Sequence, residues 1–272
     1  MKISIAAKIS VFFLSFFLTS CVQTNAKTEP VFKTPKDSVE IYQPINQDGT
    51  KVQTRFNTPE GFTRVELDSN SFGSFLQNLP LKPHGSQVKH YDGTLKLNVS
   101  AYLAVVDLPI GNKDLQQCAD AVMRLRADYL FSQKRYDEIE FLFVSGRRSN
   151  YISYLGGKTP NSKNLWSYLE NVFTYASTLS LDKQLKQKDV KDLNVGDVFI
   201  KGGSPGHAVI VIDKCFNKDG EVKFMLAQSF MPAQEIQVLS GDDGQSPWYN
   251  LNFGDYFYSA EYTFTKDQLK SF

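Results

Sequence analysis

The chain has 272 residues, 42% of them hydrophobic and 22% charged, with 30 Lys and Arg against 29 Asp and Glu. That balance excludes a basic nucleic-acid binder, an acidic disordered tail and a polytopic membrane protein. Aromatic residues make up 13% of the chain, enough apolar surface for the core of one domain or at most two small ones.

Met1, Lys2 and Lys8 form a basic start, and Ile9 to Leu18 an apolar run. The run is too short to cross a hydrocarbon core, which takes about 20 helical residues, and it reads as a signal peptide over residues 1–20. Leu18-Thr19-Ser20-Cys21 resembles the bacterial lipobox, which implies a lipid on Cys21 and a membrane attachment through it. Val22 is not the Asp that commonly retains such proteins at the inner membrane, so the expectation is a cell-envelope lipoprotein, outer membrane rather than inner. Residues 21–52 are polar and carry little periodicity, as a tether would, with a short edge strand around Val39 to Tyr42 as the other reading. Residues 53–272 are expected to fold as a single domain.

Within that domain, Arg55 to Ile110 carries turn formers and short strand patterns, Leu95 to Val99 alternating and Leu103 to Val106 continuous. From about Asp114 to Arg135, Leu115, Cys118, Ala119, Val122, Leu125 and Tyr129 recur at helical spacing, and Asp114 with Gln117 resembles a capping box at the start. Ile139, Phe141 and Phe143 alternate as a strand. A second helix is predicted from about Asn164 to Tyr175. After Gly196 the chain reads almost entirely as β: Val198 to Ile200, His207 to Asp213, Phe224 to Phe230 and Ile236 to Val238. Helices and antiparallel strands segregated in this way predict an α+β fold, a Cys-bearing helix packed on an antiparallel sheet or half-barrel.

Apart from Cys21 the chain has two cysteines, Cys118 and Cys215. Three readings of Cys118 stand open: a nucleophile whose pKa the helix start would lower, about four residues past the cap; a small buried hydrophobe; or half of a disulfide with Cys215. His207 opens an apolar strand directly after the loop Gly202 to Gly206. A hairpin centred between Asn217 and Lys218 would set His207 opposite Gln228, which could then orient one ring nitrogen and present the other to a thiol. Cys215 lies eight residues beyond His207, about 26 Å along an extended strand, and a disulfide needs Cα atoms about 4.4–6.8 Å apart. The disulfide and a Cys118–His207 pair therefore exclude each other.

In this order and local pattern, Cys118, then Gly206-His207-Ala208-Val209, then Phe224 to Phe230 with Gln228, the chain resembles the papain-like cysteine peptidases and amidases, including NlpC-type and CHAP-type cell-wall hydrolases. The resemblance implies Cys118 as nucleophile, His207 as proton carrier and Gln228 as its orienting residue. A closer resemblance, from about Arg55 to Phe272, is to an uncharacterised domain-of-unknown-function family of Bacteroidetes lipoproteins, carried by Leu79 to Pro83, Asp114 to Arg126, Gly203 to Val209 and Ala227 to Gln234.

Two functions follow. The first is an envelope thiol hydrolase of amide bonds, with peptidoglycan peptide as the substrate suggested by location. The second is a non-catalytic lipoprotein that binds or assembles on the same scaffold. Gln116 or Gln117, with the Cys118 amide, are oxyanion candidates. Asp120, Arg124 and Trp248 are substrate-binding candidates, with Tyr256 to Tyr262 as a further aromatic stretch. No metal site is expected, because His84, His90 and His207 lack dense ligand spacing, and no cofactor or nucleic-acid partner is expected.

Overall fold

The computed structural model describes residues 42–272. The signal peptide, Cys21 and the tether up to residue 41, with most of the candidate edge strand, lie outside the described residues. Helix α1 (Val52–Arg55), strand β1 (Phe62–Arg64) and helix α2 (Phe72–Gln77) lead to β2 (Tyr102–Val105) and the long helix α3 (Cys118–Ser132). The hairpin β3 (Glu140–Leu142) and β4 (Arg148–Asn150) precedes α4 (Tyr151–Leu155), α5 (Ser162–Tyr175) and α6 (Thr178–Gln184). Strands follow: β5 (Lys186–Gln187), β6 (Val198–Lys201), β7 (His207–Asn217), β8 (Val222–Gln228), β9 (Gln237–Leu239), β10 (Tyr249–Asn250), β11 (Tyr256–Tyr258), β12 (Thr263–Thr265) and β13 (Leu269–Ser271). Mixed helix and antiparallel sheet make this an α+β fold.

Nine strands join one antiparallel sheet in the order β2-β9-β8-β7-β6-β13-β5, with β1 pairing to β7 and β10 to β8. Period-two alternation sends Val198, Ile200, Ala208 and Ile210 into a core shared with α3 and α5, and Phe199, Val209, Val211 and Phe224 to the opposite face. There Tyr249, Phe257 and Phe264 cover them, Phe199 and Phe257 having ring centroids 4.8 Å apart. With both faces covered, β7 is apolar nearly throughout, and seven of its residues from His207 to Asp213 are buried in succession.

Helix α3 lies against β7. Its residues from Cys118 to Leu125 are all buried, as expected of a helix enclosed on every side. The predicted start is corrected here. Gln117, in extended conformation, is the N-cap, and Asp120 at the third helical position reaches back to accept the Gln117 amide N–H at 3.0 Å. Cys118 is therefore the first residue of the helix, not its fourth.

The hairpin register also differs from the predicted one. Phe216 pairs with Val222, so the turn centres on Asp219, and a bulge at Ile212 shifts the ladder again to Ile210 opposite Ala227. Continued, that register sets Val209, not His207, across from Gln228. The turn is wider because the Asn217 side chain accepts the amides of Asp219 and Glu221 and so closes a longer loop. Leu95 to Val99 is not a strand: its backbone is irregular and Leu97 is 94% exposed. Helices α2, α4 and α6 span too few turns to display a helical period in the sequence.

The bulge has a structural use. It turns Asp213 to the helix-bearing face, where its two oxygens accept from Arg64 Nε and Gln77 Nε2, each at 2.7 Å. Arg64 also donates to the Gln53 carbonyl, which ties α1 and β1 to the sheet through a carboxylate that is fully buried. Asp213→Ala leaves this guanidinium without its charge partner and is expected to lower unfolding stability by about 3 kcal/mol. Urea denaturation at neutral pH measures it, and a loss below about 0.5 kcal/mol, the size of an ordinary surface change, would mean that the ion pair holds nothing in place.

Candidate functional site

The start of α3 meets the start of β7. His207 follows a loop that only glycine can close: a Cβ on Gly206 would lie 2.3 Å from the Gly203 carbonyl oxygen and 2.5 Å from Thr178 Oγ1. A cleft of about 310 Å³ opens here, lined among others by Gln117, Cys118, Asp120, Thr178, Gly203 and Met231. The structure brings Cys118 and the start of β7 together. The backbone amides of Ala208, next to His207, and of Cys118 and Ala119 at the helix start lie near the Cys118 sulfur and favour its charged form.

The His207 ring is 2% exposed and sits among aromatic rings, with Phe230 at 4.7 Å and Tyr262 at 4.9 Å between centroids. Its Nε2 lies 2.8 Å from Gln228 Oε1. The contact survives the altered register because Gln228 shares a sheet face with Val209 and so with His207, one diagonal step away. With Nε2 engaged, Nδ1 is the nitrogen left for a second partner. Tyr262, tilted against the His207 ring, is raised in pKa by burial and by the charge of Cys118.

Burial decides the electrostatics. It pushes the Cys118 thiol up to about 11, the Asp120 carboxylate adding to the rise and the three amides opposing it. The sequence-based expectation of a thiol lowered by the helix start is thus corrected: the amides act as expected, but desolvation of a thiol 6% exposed outweighs them. Burial likewise brings His207 down to about 4, against the opposing pull of Gln228 and Glu261. At neutral pH the thiol and the imidazole are therefore both uncharged. Asp120 is itself raised to about 8 by burial, and its Oδ1 has no hydrogen-bond partner.

The other candidates divide. Gln117 lines the cleft, but its Nε2 donates to Asp114 Oδ1 at 3.1 Å, which turns one amide hydrogen away from Cys118. Arg124 is corrected to a structural role: it donates to the Pro109 carbonyl and to Gln116 Oε1, pairs with Asp128 at 3.3 Å and stacks on Trp166 at 5.0 Å. Gln116 is fully buried by that contact and does not line the cleft. Trp248 is also corrected. It is 2% exposed, donates its indole N–H to the Asn57 carbonyl and belongs to another cleft, with Tyr42 and Lys223. Cys118 and Cys215 are both free thiols, so the disulfide reading is overturned; Cys215 lies farther along β7, opposite Lys223 and Arg64. Among the described residues no cluster of three His, Cys, Asp or Glu side chains is arranged to hold a metal, and no helix is long and apolar enough to cross a membrane.

Sequence reasoning missed what stands behind Gln228. Gln228 Nε2 donates to Glu261 Oε2 at 2.6 Å, Asn98 Nδ2 donates to Glu261 Oε1 at 3.0 Å, and Lys96 forms an ion pair with the same carboxylate. Glu261 carried a signal as a lone acid in an aromatic run, but Lys96 holds a polar position of an apolar alternation and reads as solvent-facing, and nothing in the sequence joins positions 165 residues apart.

The fold and this site define a class: an α+β domain in which a helix opening with a buried thiol packs on a strand opening with an amide-oriented histidine. The family model described as domain of unknown function (4846) matches residues 52–165 and 158–271, and the chain belongs to that family. No curated protein and no solved structure matches it.

Alkylation of Cys118 by iodoacetamide in the native protein is expected to follow a thiol pKa near about 11, well above the free-thiol value of about 8.5. Asp120→Asn should move the profile to lower pH, because the carboxylate charge raises the thiol. A wild-type profile centred below about 8.5 would mean that the helix amides outweigh burial.

Proposed function

We propose that this protein is a papain-like thiol hydrolase of amide bonds, held in the cell envelope by a lipid on Cys21, with peptidoglycan peptide as the substrate class. The observation that carries the reading is the 2.8 Å contact between His207 Nε2 and Gln228 Oε1, made one residue before Ala208, whose backbone approaches a thiol that opens a helix and lines a cleft. That contact leaves Nδ1 as the base for Cys118. The Cys–His–Gln order, the Cys-bearing helix packed on antiparallel strands and the lipobox-like Leu18 to Cys21 support it further.

The chemistry starts from the neutral pair. As the Cys118 sulfur bonds to the amide carbonyl carbon, its proton passes to His207 Nδ1 and the carbonyl electron pair moves to oxygen. The amides of Cys118 and Ala119, at the open end of α3, would receive that negative charge. The imidazolium then returns its proton to the leaving nitrogen as the C–N bond breaks. Water, deprotonated by Nδ1, cleaves the thioester and regenerates the thiol. Proton transfer during attack suits a thiol near about 11 and an imidazole near about 4, because no ion pair has to exist in the buried resting site.

The second reading, a non-catalytic binding or assembly lipoprotein, is favoured by the depth of burial of Cys118. Incubation of the protein with purified muropeptides, followed by quantitation of released amines, separates the two. Wild type should release amine, and Cys118→Ala and His207→Ala should each reduce the rate by about a thousandfold or more. Equal release by wild type and Cys118→Ala would leave the binding role. The anchor is tested separately: an alkynyl palmitate fed to expressing cells should label the wild type, and Cys21→Ala should abolish labelling. Labelling that persists in that variant would remove the anchor from the proposal.

A further inference from the structure

His207, Gln228, Glu261 and Lys96 form one chain of contacts with a fixed donor order. Glu261 is saturated: Asn98 donates to Oε1 at 3.0 Å, and Gln228 at 2.6 Å and the Lys96 ammonium share Oε2. The Lys96 ammonium, nearly buried and 5.6 Å from the Phe230 ring centroid, pairs with that carboxylate. A carboxylate only accepts, so the Gln228 end facing it is the NH₂. The Gln228 end facing His207 is then the carbonyl oxygen, which also only accepts. A neutral imidazole must therefore carry its hydrogen on Nε2, and Nδ1 is bare.

We propose that Glu261, braced by Lys96, is the positioning residue that fixes the Gln228 amide and through it the His207 tautomer whose free Nδ1 serves Cys118. The role in catalysis rests on the thiol hydrolase reading; the tautomer itself does not. Without a carboxylate at 261 the Gln228 amide can rotate by half a turn, present its NH₂ to His207 and draw the hydrogen onto Nδ1, where the imidazole can no longer accept the thiol proton. Glu261 does not touch the imidazole, and its hold on the tautomer passes through an amide. Lys96 and Glu261 come from an irregular loop and from the β11–β12 connection, so closing the aromatic layer over the sheet also completes the orienting chain.

Long-range ¹H–¹⁵N correlation on the labelled full chain at neutral pH reads the tautomer directly. In the wild type His207 is expected to give a protonated, pyrrole-type Nε2 and a pyridine-type Nδ1. Glu261→Gln should convert this to a mixture or to the Nδ1–H form, and should slow Cys118 alkylation at a fixed pH about tenfold. The double variant Glu261→Gln with Gln228→Glu restores the donor order, since a carboxylate at 228 accepts from both neighbours, and should return the Nε2–H tautomer. A merely structural Glu261 would not be rescued in that way. An Nδ1–H signal in the wild type, or an unaltered Nε2–H signal in Glu261→Gln, overturns the proposal. Should Glu261→Gln fail to fold, Gln228→Leu gives the same readout by removing the acceptor. A correct tautomer beside a Cys118 that cleaves nothing would sink the hydrolase while leaving the orienting chain in place.

Discussion

The approach of α3 to β7 is the constraint on which the rest of the molecule depends. A helix buried on all sides lies across a strand buried on both faces, and Ala119, Val122, Ala208 and Ile210 belong to one core. Each large side chain there contributes about 1.5–3 kcal/mol when removed from water, so the helix position is strongly determined. Its first residue is Cys118, and the first residue of the strand is His207. The geometry of the candidate site is thus a by-product of core packing, and Gly206 is needed only because the chain must turn tightly against Thr178 to enter β7 at that point.

The same burial governs the charges. At an exposed helix start, unpaired amides and the helix dipole would favour a thiolate; here desolvation opposes any charge at Cys118, at His207 and at Asp120 alike. At two carboxylates several donors converge, Arg64 and Gln77 at Asp213, and Lys96, Asn98 and Gln228 at Glu261. The first fastens α1 and β1 to the sheet. The second stands behind His207, separated from it by a neutral amide, so that a full charge orients the imidazole without lying against it. A proposed hydrolase built this way rests uncharged and moves its proton when substrate arrives.

Sequence patterns located the segments well where they were long. The alternation from Val198 through Gln228 marked the three central strands, and the spacing of Ala119, Val122, Leu125 and Tyr129 marked α3. Boundaries were poorer for stated reasons. Asp114-x-x-Gln117 and Gln117-x-x-Asp120 both resemble caps, and tertiary contacts settled the choice: Asp114 is taken by the Ala233 amide, which leaves Asp120 to cap. Hairpin register depends on how the turn closes, and the Asn217 side-chain contacts that widen it have no local periodicity.

Composition and pattern alone determined the α+β class and the order Cys118, His207, Gln228, because those follow from periodicity and from residue type along the chain. The tertiary structure alone decided that Cys118 opens its helix, that both described cysteines are free thiols, that Arg124 and Trp248 are structural, and that Lys96 and Glu261 stand behind Gln228. Each of these depends on burial or on contacts between residues far apart in the chain, and a side chain's protonation, partners and accessibility are set by what surrounds it in space.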